Sequence, residues 1–451
     1  MGTFKNCNFK GASKNTSYFF SFLTLPSLSY DNKNMKKSIF KRRIFIILIT
    51  FISPFIFADE NFADEGVLFQ FNHHEGDSVS HLSKVQEEAY LNGRLNNRTE
   101  FINRTSTTVQ EVSDDGSALI HTHYMTTQNS LVNSTDELLT WGEEDDVIIH
   151  RKSDGELYDS NNDFLPTVRN IPSFPDYPVN LGQSWQKDGL EVHDLRELFS
   201  MSQAIQIPFT ATYTYSGDSE VTSEDNSTHK LQIIDVYYEF FQDNTRGKYY
   251  KNTSYAGSKG YAQQKIYWDS SKNEIDHFDE EFQIKLVDIY GNTFLFKGIS
   301  TGQVTEYKSV NNEDTVKKLE KTVEKYNLND ISVKQSDKGL TIALENIQFE
   351  ADSDKLLPSE EEKLRKIGDI LKEFSNDLLI TGHTAQRGTE SGRQKLSEQR
   401  AKTVADFLVK EGVRDQFHIF TQGKGATEPI ATNSTEAGRK RNRRVEITIM
   451  D

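Results

Sequence analysis

From about residue 65 to residue 308, apolar and polar residues alternate with a period of two in runs broken by short turn segments. The 3.6-residue period of long helices is nearly absent there. Phe209, Ala211, Tyr213 and Tyr215 alternate with Thr210, Thr212 and Thr214, which puts one face of a strand in a core and the other in water. Asp114-Asp115-Gly116, Ser153-Asp154-Gly155, Ser271-Lys272-Asn273 and Tyr290-Gly291-Asn292 separate such runs and supply residues that tolerate positive φ, so hairpin turns are expected at each. The pattern predicts an antiparallel β-rich unit, either a sandwich or a strongly curved sheet. A membrane barrel would need strands of about 10 residues with an unbroken apolar face. Lys265, Asp276, Glu280 and Lys285 interrupt the candidates, which favours a soluble module.

The periodicity changes after Val310. Val316, Leu319, Val323 and Tyr326 recur at spacings of three and four among Lys and Glu, predicting an amphipathic connecting helix over Glu313–Asn327. A hairpin turn at Gln335–Gly339 then divides two extended runs between Ile331 and Leu344. Pro358 and the capping-box arrangement Ser359 to Glu362 are expected to start a helix with Leu364, Ile367, Ile370, Leu371 and Phe374 on one face. Leu378–Thr381 reads as a short buried strand, and a second helix is expected from about Gly392 to Glu411. A strand near Ile419-Phe420 follows, and in a last one Val445, Ile447 and Ile449 alternate with Glu446, Thr448 and Met450. The order describes an α+β domain, one mixed sheet with helices on one face.

The chain is 451 residues long, more than one core usually holds, and its net charge of −16 is unevenly distributed. Residues 1–58 carry +8, residues 336–451 carry −1, and the region between carries −23, which repels phosphate backbones and argues against nucleic acid as a partner. Met35-Lys-Lys-Ser-Ile-Phe-Lys-Arg-Arg, the apolar run Ile44–Phe57 and Ala58 before Asp59-Glu60 follow the order of a secretory signal. The organisation expected is an upstream extension (1–34), a signal peptide (35–58), an antiparallel β-rich domain (59–310), a connecting helix (311–330) and the α+β domain (331–451). Cys7 is the only cysteine, so an intrachain disulfide is excluded. His121-Thr122-His123 places two imidazoles on one strand face without a third ligand, so a surface pair is expected rather than a metal site. Tyr237, Tyr238, Phe240 and Phe241 read as strand core, with a glycan or partner grip as the alternative. With no nucleophile elbow, phosphate loop or zinc motif, neither a catalytic residue nor a cofactor is nominated.

In the last third a family resemblance becomes specific. Phe349-x-x-x-Ser353-x-x-Leu356, Gly382-His383-Thr384, Leu396-Ser397-x-x-Arg400-Ala401, Gly423-x-Gly425, Pro429 and Asn442-Arg443-Arg444-Val445-Glu446-Ile447 resemble, in order and spacing, the OmpA-like domain of outer-membrane porins, peptidoglycan-associated lipoproteins and flagellar stators. The resemblance implies a non-enzymatic, exported protein of the periplasm or outer membrane that binds the diamino acid of a peptidoglycan stem peptide. It also leaves room for other envelope proteins as partners. The implied pocket draws on Asp352, Thr384, Ala385 and, from the helix, Arg393 and Arg400, which clamps a carboxylate through paired charge-assisted bonds. Asn442 and Arg444 complete it. The alternative at Arg400 is an internal ion pair with Glu446 or Glu398.

Two positions depart from the family pattern. Ala385 stands where the family commonly has Asp, and Arg393 where it commonly has Asn. Loss of the acid removes a charge-assisted bond to the ligand's ammonium worth about 1.5 to 3 kcal/mol, or about one to two decades of affinity. Weaker binding, a different diamino acid, or a fold kept as an interaction module without this ligand are the three outcomes left open. Lys424, Arg439, Lys440, Arg441, Arg443 and Arg444 cluster near the end, to meet wall carboxylates or to form a solvated rim. A stator-like component would need a spanning helix with an embedded carboxylate, and Asp59 falls after the apolar run. A wall-localised enzyme with its site in the β-rich domain is the remaining class.

Overall fold

The computed structural model describes residues 66–130, 138–222, 228–307, 312–328, 331–336, 338–345, 347, 349 and 354–451. The expected upstream extension and signal peptide, Cys7 and Asp352 lie outside the described residues.

Twelve strands form the first sheet. Its first half comprises β1 (Ser78–Leu91), β2 (Arg94–Val112), β3 (Ala118–Ser130), β5 (Glu143–Arg151) and β6 (Leu157–Tyr158), with β4 (Leu139–Thr140) leaving it for a second sheet. The other half runs through β7 (Val168–Arg169), β8 (Ser184–His193), β9 (Ile205–Thr222), β10 (Thr228–Asp243), β11 (Tyr255–Asp269), β12 (Glu274–Asp288) and β13 (Thr293–Glu306). A single helical turn, α1 (Arg196–Phe199), links β8 to β9. Each half is an antiparallel meander, and the two are joined where β1 pairs with β13. The two-residue strands β6 and β7 form the edges, and Leu157 N donates to Asn170 Oδ1 at 2.8 Å, so the sheet curls until its edges approach each other.

The alternation explains the curl. Phe209, Ala211, Tyr213 and Tyr215 are buried on the inner face, as their spacing requires, and all four expected turns fall between paired strands. Tyr238 and Phe240 point inward, whereas Tyr237 and Phe241 point out, dividing the aromatic cluster by strand parity. Phe69, Phe71 and Phe174 fill the curl from outside the sheet and pack on Trp268, with ring centroids of 4.8 Å between Phe174 and Trp268. The outer face carries cross-strand ion pairs, Lys84–Glu100 at 2.9 Å, Lys265–Asp235 at 3.0 Å and Lys297–Glu88 at 3.1 Å. Apolar inside and charged outside is the inverse of a lipid-facing barrel. His121 Nε2 and His123 Nδ1 share Asp146 Oδ1 at 2.9 and 3.0 Å, and no metal-ligand cluster occurs among the described residues.

The connecting helix α2 (Glu313–Lys325) is capped by Asn312, which accepts from Thr315 N, and buries Leu319 and Val323 in the second core. That core lies under β14 (Ile331–Ser336), β15 (Gly339–Glu345), β16 (Leu378–Gly382), β17 (Ile419–Gly423) and β18 (Arg444–Met450). Packed with them are α3 (Pro358–Leu371), α4 (Glu390–Lys410) and α5 (Glu436–Asn442). The sheet order is β14-β15-β18-β16-β17-β4, with β16 and β17 parallel and β18 antiparallel to both of its neighbours. The expected capping box does not form: Pro358 occupies the first turn of α3 and Leu357 is the cap residue, without a side-chain bond. Proline's fixed φ starts the helix two residues too early for Ser359 to cap it.

The two sheets meet through a strand the periodicity did not reveal. Leu139-Thr140 pairs in parallel with Phe420-Thr421, and Ile102, Met125 and Trp141 bury Leu379, Phe420 and Met450. Beside this apolar contact Arg104, only 4% exposed, donates from Nε to Asp377 Oδ2 at 3.2 Å and from Nη2 to the Asp451 carbonyl. Asp377 Oδ1 also lies 2.7 Å from His418 Nδ1. Across the same junction Lys338 pairs with Glu144, which accepts from the Trp141 indole.

Candidate functional site

The site expected from the motifs lies where β16 ends against α4. Two glycines permit this approach: a Cβ on Gly382 would lie 2.1 Å from Ser397 O, and one on Gly423 would lie 2.6 Å from Ser397 Oγ. Backbone therefore packs on backbone at the corner. Lys424 N donates to Gly382 O at 3.0 Å, Thr384 N to Gly425 O at 2.7 Å, and Gly425 N to Ser397 Oγ at 2.9 Å. Gln394 Nε2 adds a bond to Gly423 O at 2.7 Å. Thr384 is thus tied through Gly425 to the face of α4 that bears Ser397.

Helix α4 begins with Thr389 accepting from Gly392 N, and its Ala401, Val404 and Leu408 sink into the core. Arg393, Ser397 and Arg400 follow at spacings of four and three, which places them on one flank of the helix. Arg393 Nη1 donates to Gly388 O at 2.6 Å, while its Nε, buried, has no hydrogen-bond partner among the described residues. The Arg400 guanidinium, half-buried, lies over the Phe349 ring at 4.7 Å from its centroid. The buried Thr384 hydroxyl also lacks a partner among the described residues, and the Ala385 methyl is buried beside it.

Asn442 and Arg444 serve the protein's own architecture. Asn442 Oδ1 accepts from Ile430 N and Ala431 N at 2.9 Å each, and its Nδ2 donates to Ala431 O at 2.8 Å and Asn433 Oδ1 at 3.0 Å. All four of its hydrogen-bonding positions are used in shaping that loop. Arg444, 3% exposed, donates to Glu446 Oε1 at 2.9 Å and to the Glu428 carbonyl at 3.1 Å. Burial would raise the Glu446 pKa, but His383, Lys334 and Arg444 around it outweigh that and hold it well below the usual carboxylate range. Burial lowers the pKa of His383, against the opposing pull of Glu446 3.7 Å away.

Of the two internal partners weighed for Arg400, Glu446 accepts from Arg444 and Lys334, and Glu398 accepts from Gln394 at 2.8 Å. The basic residues near the end are largely neutralised. Lys424 pairs with Glu428, Arg439 and Arg443 with Glu436, Arg441 with Glu345, and Arg444 with Glu446, all within 3.2 Å. Gln394 and Ser397, which fix the corner, were not singled out as site residues. Their signal was the glycine pair opposite them, since a helix can touch two strand ends this closely only where Cβ atoms are missing.

With this geometry in hand, the comparisons with known proteins are consistent. The OmpA family model matches residues 348–443. The peptidoglycan-binding protein ArfA of Mycobacterium tuberculosis is 44% identical over 104 residues, 23% of this chain and 32% of that protein. The probable lipoprotein YiaD of Escherichia coli is 40% identical over 105 residues, 23% of this chain and 48% of that protein. The chain thus spans between about a third and a half of the length of these relatives. A solved outer membrane protein of Borrelia burgdorferi is 36% identical, with 27% of this chain and 97% of that one covered at a TM-score of 0.23. The carboxy-terminal part of this chain, residues 348–443, is an OmpA family domain.

Proposed function

We propose that the chain is a non-covalent peptidoglycan-binding protein of the cell envelope, exported to the periplasm or outer membrane, which holds its curled β-rich domain against the wall. The observation that carries the reading is the α4 corner. Arg393 and Arg400 share one helix flank there, beside a buried Thr384 hydroxyl without a partner among the described residues, on a domain whose relatives include a peptidoglycan-binding protein. A stem-peptide carboxylate accepts paired hydrogen bonds from the Arg400 guanidinium, and the Thr384 hydroxyl supplies a neutral donor at the end of β16. The domain limits expected from the sequence belong to the same proposal.

A second reading has its own support. Ala385 offers no charge to the ligand's ammonium, and Asn442 and Arg444 are committed internally, as in an interaction module that keeps the fold without the ligand. Sedimentation of the full chain with purified sacculi separates the two. The full chain is preferable to the 331–451 fragment, which would expose the Leu379, Phe420 and Met450 cluster that Ile102 and Trp141 cover. Peptidoglycan binding predicts retention by sacculi that falls at least tenfold in Arg400→Ala. Equal recovery of both proteins, or none of either, would leave the interaction-module reading.

A further inference from the structure

The end of the curled sheet opposite the exit to the OmpA domain is chemically unlike the rest of the chain. Strand β13 starts at this end with Thr293 and leaves for α2 after Glu306, so the two ends lie roughly 45 Å apart along its 14 residues. Among the connections that meet here are the β1–β2 turn, the β10–β11 loop and the β12–β13 turn. The first and last are stitched together, Asn92 Nδ2 donating to Asn292 Oδ1 at 3.1 Å and Thr293 N to Asn92 Oδ1 at 2.9 Å.

Large apolar side chains stand in solvent on these connections. Tyr290 is 79% exposed, Phe241 72%, Ile289 55% and Tyr249 52%. The Tyr290 turn is held out by Asp288, whose buried carboxylate accepts from Tyr290 N at 2.9 Å and from Asn292 N at 2.7 Å. Around the apolar tips lie Arg94, Arg246, Lys248, Lys251, Lys259 and Lys285, none of which forms an ion pair among the described residues. The register orders them. On the outer face Phe241, Lys259, Lys285, Leu295 and Tyr90 are successive cross-strand neighbours in a row without an acid, and the row beyond it holds one, Asp243. Two residues further from this end the corresponding row contains Glu239 and Glu88. In a chain of net charge −16, this is a local reversal of sign coinciding with exposed aromatics.

We propose that this end of the β-rich domain is a membrane-contact surface that docks on a bilayer rich in anionic phospholipid headgroups. Lys and Arg side chains meet the phosphates, while Tyr290, Tyr249, Phe241 and Ile289 enter the interfacial zone where amphipathic rings are favoured. The occupant is set by charge complementarity: the free cations match anionic headgroups, and the acidic remainder of the domain repels the same surface and so fixes the orientation. Backbone at the tips keeps its bonds within the turns, as shallow insertion requires.

Hydrogen–deuterium exchange of the full chain with vesicles reads this surface by position, separately from any contribution of residues 1–58. With vesicles of equal parts phosphatidylglycerol and phosphatidylcholine, amides in 244–254 and 289–293 are expected to gain protection that is lost in high salt and absent with phosphatidylcholine alone. Replacing Arg246, Lys248 and Lys251 together by Gln should weaken this vesicle-dependent protection on the order of a hundredfold in lipid concentration, from about fivefold per basic residue. These side chains are exposed, so the thermal midpoint of the variant should match the wild type and show that the fold is intact. Unchanged exchange at both loops with anionic vesicles, or equal protection in wild type and variant, would overturn the proposal. Sacculus binding plays no part in the readout, so its failure and this one are distinguishable.

Discussion

Two basic clusters of similar size occupy opposite parts of this molecule and differ in what surrounds them. Near the carboxy terminus, Lys424, Arg439, Arg441, Arg443 and Arg444 each face a carboxylate of their own domain. At the far end of the curled sheet, Arg94, Arg246, Lys251, Lys259 and Lys285 face water, beside exposed aromatic rings. A count of charges along the sequence ranks the first cluster as the more conspicuous, yet its cations are spent on holding loops. The second is dispersed along the chain from Arg94 to Lys285 and assembled by the strand register and the β10–β11 loop.

The comparison can be sharpened by removing cations of each kind. The largest effect is expected at the junction, where Arg104→Ala would leave Asp377 buried without its principal ion partner and cost about 3 to 5 kcal/mol, measurable by urea denaturation. A shift under 1 kcal/mol would mean that the junction is not a desolvated pair. Glu87 offers the complementary case of a buried acid, its pKa pushed up to about 8 by burial alone. The folded chain then holds a proton that the unfolded chain releases above the ordinary carboxylate range. Stability should therefore fall as pH rises from about 4.5 to 8, and Glu87→Gln should remove a few kcal/mol of that fall. Parallel pH profiles for the two proteins would refute the assignment.

At the α4 corner, Ala385→Asp supplies a carboxylate and, on the wall-binding proposal, should tighten sacculus binding by about ten- to a hundredfold, the value of one charge-assisted bond of about 1.5 to 3 kcal/mol. No gain in a sedimentation isotherm would show that the ligand's ammonium does not pass this position. The smallest change is expected from Arg246→Gln, an exposed cation without an ion partner among the described residues, whose unfolding free energy should stay within about 0.5 kcal/mol of wild type.

Much of the fold was legible because its signals are local. Period-two alternation at Phe209–Tyr215, the four turn tripeptides, and the 3-4-3 spacing of Val316 to Tyr326 each encode an element without reference to the rest of the chain. The junction was not legible. Leu139-Thr140 is too short to show a period, and its pairing with β17 is set by tertiary contact alone. Arg104 sits among Asn, Thr and Ser on β2, where it reads as a solvated residue until the second domain covers that face. At the candidate site, sequence placed Thr384 and Arg400 at one corner, which Ser397 and Gly425 join. It could not tell that Asn442 and Arg444 bond inward, because a hydrogen-bond partner twelve residues away leaves no periodic trace.

The most direct test of the wall-binding account is calorimetric titration of the full chain with a soluble stem peptide carrying its diamino acid and free carboxylate, for wild type and Arg400→Ala. Saturable binding by the wild type, weakened at least tenfold in the variant, is the predicted result. Identical isotherms, or no heat from either protein, would contradict a guanidinium at position 400 as the receiver of the wall fragment.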